Sequence, residues 1–232
     1  MPKLSPQAFE LLDGLVKNND REWFLPRKDE FKEHLQTPFA EILEAASSKL
    51  KRVKLPMSGG KHTMFRIYRD VRFSKDKRPY KENISGMLTV SGNKDQCDGL
   101  VYVHLDNTGG FLASGFYAPE SKSLLALRQR IVDHPKAFQA IVRKLGKAGL
   151  ELVATDKLKR MPRGFEGYQD HAHAELLKLK SFIIQQPLTK KAWLDGSVIN
   201  EIVSLNKSAT DLNLFGLEAI ASVHTPSSKK GV

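Results

Sequence analysis

Apolar residues recur at helical spacing near both ends of the chain and alternate in short runs through its middle. Ser5-Pro6 pairs a capping hydroxyl with proline at the first helical position, and Phe9, Leu12 and Val16 follow on one face. Asn18-Asn19 is the expected stop, since asparagine tolerates the left-handed conformation. Asp20 is positioned to cap a short second helix carrying Trp23 and Phe24, which Pro26 interrupts or restarts. Thr37-Pro38 opens another, with Phe39, Ile42, Leu43, Ala46 and Leu50 on one face.

Beyond the loop Met57-Ser58-Gly59-Gly60 the period shortens. Residues 64–71, 84–90, 100–105 and 111–117 are rich in β-branched and aromatic side chains and bounded by Gly, Asn and Asp, which predicts strands. Asp106-Asn107-Thr108-Gly109-Gly110 between the last two is a hairpin-type turn. Strands that follow one another without intervening helices predict a mainly antiparallel sheet. Pro119 then starts a predicted helix with Leu124, Leu127, Ile131 and Val132 inward, and His134-Pro135 ends it and begins another through Leu145. Further on, 161–168 reads as loop, 175–178 as helix, 182–186 as strand, and 198–205 and 212–221 as two helices. Residues 225–232 read as a disordered tail. With no internal repeat and no linker, the expectation is a single α+β domain over residues 1–224, its central sheet flanked by N- and C-terminal helices.

Composition narrows the setting. Cys97 is the sole cysteine, so no intrachain disulfide can form, and a lone thiol reads as a small core residue in a reducing compartment. The first residues contain no apolar signal segment, and no stretch approaches the length of a membrane span, so a cytoplasmic location is expected. The net charge of +11 is not spread evenly. Residues 61–81 hold eight basic and two acidic side chains, and 141–163 hold seven and two, which accounts for the entire surplus. Two clusters of one sign imply a local field that attracts anions.

The first cluster is the most informative stretch. On a strand over 65–71, Phe65, Ile67, Arg69 and Val71 share one face, and Arg66, Tyr68, Asp70 and Arg72 share the other. Such a stripe can hold a phosphate or carboxylate in forked guanidinium contacts, with the carboxylate orienting the arginines. Arg69 falls on the apolar side and needs a partner. A basic turn follows through Lys75, Lys77, Tyr80 and Lys81, its exit fixed by Pro79. The competing reading is a charge-decorated edge strand that blocks sheet pairing.

The run Arg66-Ile67-Tyr68-Arg69-Asp70-Val71-Arg72-Phe73-Ser74-Lys75-Asp76-Lys77, with Pro79-Tyr80-Lys81, resembles the signature of the bacterial and fungal family called domain of unknown function 2461. Asn18-Asn19-Asp20-Arg21-Glu22-Trp23-Phe24 is similar to its N-terminal motif. Gly115 to Pro119 with Arg128 and Ile131 resembles its middle motif. Leu158-Lys159-Arg160, Pro162, Gly164, Asp170-His171 and Leu177-Lys178 to Phe182 resemble its C-terminal motif. Glu82 replaces a small hydroxyl residue usual in the family. The resemblance implies an α+β fold and no particular activity.

Other motifs carry less. Residues 18–24 either present Asn19 and Arg21 to a ligand or serve as helix stop, cap and core aromatics. Lys159-Arg160-Met161-Pro162-Arg163-Gly164 is either a second anion clamp or a solvated loop, and it lacks the lysine-serine ending of a P-loop. Asp170-His171-Ala172-His173 has no further ligands at metal-binding spacing, so His171 is assigned to a helix start or a ligand contact, and no metal is expected. The sequence contains no nucleophile elbow, no dinucleotide fingerprint and no Cys–His pair at diagnostic spacing, and it implies no particular cofactor.

The expectation is therefore a small-ligand site for a phosphate or carboxylate, built from Arg66, Arg72, Lys75, Lys77, Tyr80 and Lys81 and closed by Arg160 and Arg163. If the site is catalytic, Asp70 or His171 is the base candidate and Tyr80 a proton donor, in hydrolysis or transfer at a phosphoryl or acyl centre. The alternatives are a nucleic-acid-binding protein, using Phe65, Tyr68, Phe73 and Tyr80 between the cations, and an interaction domain with an acidic partner.

Overall fold

The computed structural model describes residues 1–95 and 98–224; the readings made for Cys97 and for the tail at 225–232 fall outside them. Four strands, β1 (Asn83–Leu88), β2 (Asp98–Asp106), β3 (Phe111–Phe116) and β4 (Phe182–Pro187), form an antiparallel sheet in the order β1-β2-β3-β4. This is the expected α+β class. The β1–β2 register runs from Asn83 opposite Asp106 to Leu88 opposite Val101. Alternation in β2 is complete: Val101, Val103 and Leu105 are buried, while Tyr102, His104 and Asp106 are half-buried on the other face.

The chain divides into two compact units. One comprises Met1–Gln96, Leu100–Ala113 and Gln186–Lys207, and the other Cys97–Gly99, Ser114–Gln185 and Ser208–Val232. In the first unit, helix α1 (Pro6–Lys17) is followed by α2 (Arg21–Phe24), a 3-10 turn, α3 (Lys28–Phe31), a π turn and α4 (Thr37–Leu50). Asp20 caps α2 as expected, accepting from the Trp23 amide at 2.8 Å. Asn18 stops α1 differently from expectation. Its φ of −134° is not left-handed; both its backbone amide and its side-chain amide donate to the Gly14 carbonyl instead.

Helix α4 packs on the sheet where Gly86 leaves room: a Cβ there would lie 2.6 Å from Leu43. The short helix α8 (Lys190–Asp195), not foreseen from the sequence, brings Trp193 into this core. Its ring stacks on Phe39 at 5.8 Å, and its indole N–H donates to the Gly109 carbonyl at 2.7 Å. A buried tryptophan keeps a hydrogen-bond partner.

The second unit holds α5 (Ser121–Asp133), α6 (Pro135–Lys147), α7 (Ala174–Leu177) and the later part of α9 (Val198–His224). The sequence suggested two helices where α9 is one. The polar run from Asn206 to Asp211 reads as a break, yet Asn206 and Thr210 are buried within the helix, and the Asn206 side chain donates to the Leu55 carbonyl at 3.2 Å. Polarity satisfied by tertiary contact does not interrupt a helix. Similarly, Asn213 donates to the Ser114 hydroxyl at 3.0 Å.

Gly216 in α9 faces the ring of buried Phe116, where an added Cβ would sit 2.2 Å from the nearest ring carbon. Helix propensity favours Gly216→Ala by about 1 kcal/mol, but overpacking costs about 1–3 kcal/mol. Gly216→Ala is expected to lower the urea midpoint, and Phe116→Leu in the same chain to recover part of the loss. A rise in the midpoint on Gly216→Ala alone would refute this packing.

Candidate functional site

Residues 64–82 all lie in the first unit. The period-two burial expected of 65–71 is present: Phe65, Ile67, Arg69 and Val71 are the less exposed set, while Arg66, Tyr68, Asp70 and Arg72 are exposed. The continuous strand expected over 64–71 is not. Only isolated bridges form, Met64 with Gly86 and Tyr68 with Tyr80, because the segment turns back on itself before a ladder can build. Side chains supply what the ladder does not. The Asn19 carboxamide donates to the Tyr80 carbonyl and accepts from the Tyr80 amide, both at 3.1 Å, as a neighbouring strand would. Asn19 is thereby structural, and Trp23 and Phe24 beside it are packing residues. Tyr80 itself is buried, its ring 4.1 Å from Phe24 and 5.5 Å from Tyr68, and burial pushes its hydroxyl pKa up. A buried, weakly acidic phenol is poorly suited to donate protons to a ligand.

Three of the four arginines of residues 64–82 are held by acids of the same segment. Arg69 reaches Asp76 at 2.6 Å, which is the partner its half-buried position demanded. Arg78 binds Asp76 at 2.7 Å and also Glu82. Arg72 forks onto Asp70 at 3.0 and 2.7 Å. Bonds from Arg72 hold the Asp70 carboxyl below its ordinary range, and Arg78, then Arg69, do the same more strongly for Asp76. An exposed, strongly acidic Asp70 is a weak base. Lys77 donates to the Val71 carbonyl at 2.9 Å. Among the described residues, Arg66, Lys75, Lys77 and Lys81 have no carboxylate partner. Lys81 lies 5.4 Å from the Phe65 ring centre, and burial, then Arg66, lower its pKa. At the tip of the loop stands Phe73, 94% exposed, with the Arg72 guanidinium 5.8 Å from its ring.

A second group in this unit was missed from the sequence. Tyr102, His104 and Asp106 recur at period two on β2 and so share the half-buried sheet face; that spacing was the available signal. His104 stacks on Phe111 at 4.6 Å, and its Nδ1 lies 3.3 Å from the Tyr102 hydroxyl. Its Nε2 is 3.6 Å from Asp106, too far for a hydrogen bond. Burial lowers the His104 pKa, with Asp106 opposing. Burial pushes the Asp106 carboxyl up, but bonds from the Thr108 hydroxyl and amide outweigh it and hold the carboxyl below its ordinary range.

Arg160, Arg163 and His171 belong to the second unit. Arg160 and Arg163 are exposed. Arg163 lines an open cleft of about 1040 Å³ with Leu125, Arg130, Phe165 and Glu218. Arg130 is paired with Glu218. The His171 Nδ1 accepts from the His173 amide at 3.1 Å, and burial, then His173, lower the His171 pKa. His173 is buried edge-on to Phe138 and bonded to the Pro135 carbonyl at 3.1 Å. Among the described residues no group of three or more His, Cys, Asp or Glu is arranged to hold a metal.

Arg128, also in the second unit, is 5% exposed and has no acid among its bonds; it donates to the Leu177 carbonyl at 2.8 Å and the Leu179 carbonyl at 2.9 Å. Burial lowers its pKa. The guanidinium thus fixes the approach to β4.

The antiparallel sheet, the helices around it and the segment at 64–82 define an α+β protein whose distinguishing feature is a self-paired basic loop. Over residues 7–215 the chain matches the family of conserved hypothetical proteins designated DUF2461, and it belongs to that family. No curated protein and no solved structure matches it. No helix among the described residues is long and apolar enough to cross a membrane.

Two predictions follow from these environments. Arg128→Met leaves two buried carbonyls without a donor and is expected to lower stability by about 2 kcal/mol, with Arg128→Lys intermediate because it keeps the charge and loses the fork; urea unfolding of the three chains checks the order. The His104 pKa is depressed on folding, so its contribution is fully present above the unfolded value of about 6.5 and is lost as pH falls through the folded one. Unfolding free energy should decline from neutral pH towards pH 5, and His104→Gln should flatten part of that decline. An unchanged slope in His104→Gln would contradict the assignment.

Proposed function

We propose that the basic segment of the first unit binds a single-stranded nucleic acid, its cations tracking the phosphates and Phe73 stacking on a base. The observation that carries this reading is the full exposure of Phe73 at the tip of the basic loop. A phenyl ring held in water is unfavourable, and on a cationic loop it is suited to a partner offering both phosphates and flat apolar faces. The internal ion pairs support the same conclusion. They engage Arg69, Arg72 and Arg78 and so hold the loop in shape, whereas Arg66, Lys75, Lys77 and Lys81 keep their charge for a polyanion. A one-phosphate clamp centred on Arg72 would first have to displace Asp70 from both its bonds. The geometry therefore favours the nucleic-acid reading over the small-ligand site suggested by the sequence.

Four cations contacting a single strand release counterions in proportion, giving a log–log salt slope of about −3. Anisotropy titrations of a labelled oligonucleotide between low and moderate salt should show that slope. Phe73→Ala should weaken binding about tenfold, in line with about 1–3 kcal/mol per stacked base. Arg72→Lys should change it by no more than about twofold, since only a forked contact distinguishes the two cations. A shallow slope, competition by a simple phosphate monoester and loss of affinity on Arg72→Lys would establish the clamp instead. Binding to anionic vesicles but not to the oligonucleotide would transfer the loop to a membrane surface.

A further inference from the structure

The second unit contains a compact cavity of about 410 Å³ that the sequence reading did not anticipate. Its apolar wall is formed by Tyr117, Leu124, Val153 and Ile183, and its polar side by Asp156, Lys180 and Ser181. The volume falls in the range of small-molecule sites, and a mostly apolar lining with few convergent polar groups is typical of them. Residues 152–158 run beside 178–184 but pair only through isolated bridges, Leu152 with Ile184 and Lys157 with Leu179. The polar side of the cavity comes from the stretch between those bridges.

The rim is held in an uncommon conformation. Ala118 has φ of +42°, the one non-glycine residue with positive φ among those described. Its amide donates to the Ser181 hydroxyl at 2.9 Å, which fixes the turn and leaves the hydroxyl proton of Ser181 available. Ser181 in turn follows the Leu177–Leu179 carbonyls anchored by Arg128. Backbone strain persists only where surrounding structure enforces it. Here the Ser181 hydroxyl and the following Pro119 act on Ala118 directly. Tyr117 beside Ala118 is 72% exposed, so its ring stands at the opening.

The charges on the polar side decide the ligand. Lys180 Nζ and Asp156 Oδ1 are 2.7 Å apart and both solvent-accessible. An exposed ion pair held by a single ammonium contact is weak and exchanges more readily than a forked guanidinium pair. Its complement is a molecule with the same two charges in reverse order. A purely anionic ligand would meet Asp156, and a purely cationic one would meet Lys180.

We propose that this cavity binds a zwitterionic α-amino acid with an apolar side chain. The carboxylate is received by Lys180 and the Ser181 hydroxyl, the ammonium by Asp156, and the side chain lies against Leu124, Val153 and Ile183. An α-amino acid carries both charges on one carbon, a separation comparable to that of the wall's own pair. The proposal is independent of the nucleic-acid reading, which concerns the other unit.

The test is calorimetric titration of the full chain with L-leucine, L-methionine and L-phenylalanine, each compared with its amide and its N-acetyl form. At least one free amino acid should bind saturably, and blocking either charged group should weaken it at least tenfold. Asp156→Asn and Lys180→Met should each weaken it at least tenfold; both side chains are solvent-accessible, so circular dichroism should be unchanged. Leu124→Trp, which fills the cavity, should abolish binding. No saturable binding of any free amino acid up to millimolar concentration would overturn the proposal. So would equal affinity for the blocked forms, or binding that survives Leu124→Trp in a folded chain.

Discussion

A guanidinium group buried without a carboxylate is costly to fold around, and Arg128 is such a group. Its charge is offset only by the two carbonyls at Leu177 and Leu179. Those carbonyls are the reason it is there. Between α7 and β4 the Lys178 carbonyl is met by the Leu158 amide, while the Leu177 and Leu179 carbonyls on either side receive the guanidinium. A side chain with several donors in a fixed plane satisfies two backbone oxygens at once in a set geometry; lysine has the donors but not the fork, and an apolar residue has no donor. The segment so fixed then carries Lys180 and Ser181, and Ser181 holds Ala118 in its left-handed turn. Lys180 and Ser181 of this segment line the small cavity of the second unit.

The first unit meets the same requirement in another way. Residues 64–82 are extended and irregular, and their backbone groups need partners that no continuous ladder offers. Asn19 provides two of them for Tyr80, the Ser85 carbonyl another for Phe65, and the Pro79 carbonyl one for Arg69. Like charges along this stretch would drive it open. Asp76 counters that by receiving Arg69 and Arg78 together, and Glu82 extends the chain of pairs. Glu82 also receives the Asn19 amide and so ties this chain of pairs to the start of α2.

The two candidate surfaces differ in kind. The basic loop presents cations and one exposed ring to solvent, a surface suited to an extended polyanion. The cavity beside Ala118 is apolar with a single opposed charge pair, a surface suited to a small molecule of zero net charge. The two proposals accordingly concern different units of the chain, whereas the sequence suggested a single anionic small-ligand site.

The cap at Asp20, the hairpin at 106–110 and the period-two face of 65–71 were legible in the sequence from neighbours two to four residues away, and the α+β class and antiparallel character of the sheet from strands that follow one another without intervening helices. The need of Arg69 for a partner was legible too, from its place on the apolar side. What tertiary structure alone decided was where the polar groups find their partners. The sequence placed Asp70 among the arginines as the acid that orients them; that the Arg72 fork closes on it, and that Asp76 receives Arg69 and Arg78 together, depends on a turn that periodicity does not describe. Polar residues in the middle of α9 implied a break, yet Asn206 is buried with a carbonyl about 150 positions away in sequence. Tyr102, His104 and Asp106 read as ordinary strand residues; it is burial on the folded sheet that lowers the His104 pKa. Local spacing fixes periodicity; charge state, burial and hydrogen-bond pairing depend on irregular turns and on contacts distant in sequence, and those form only when the chain is folded.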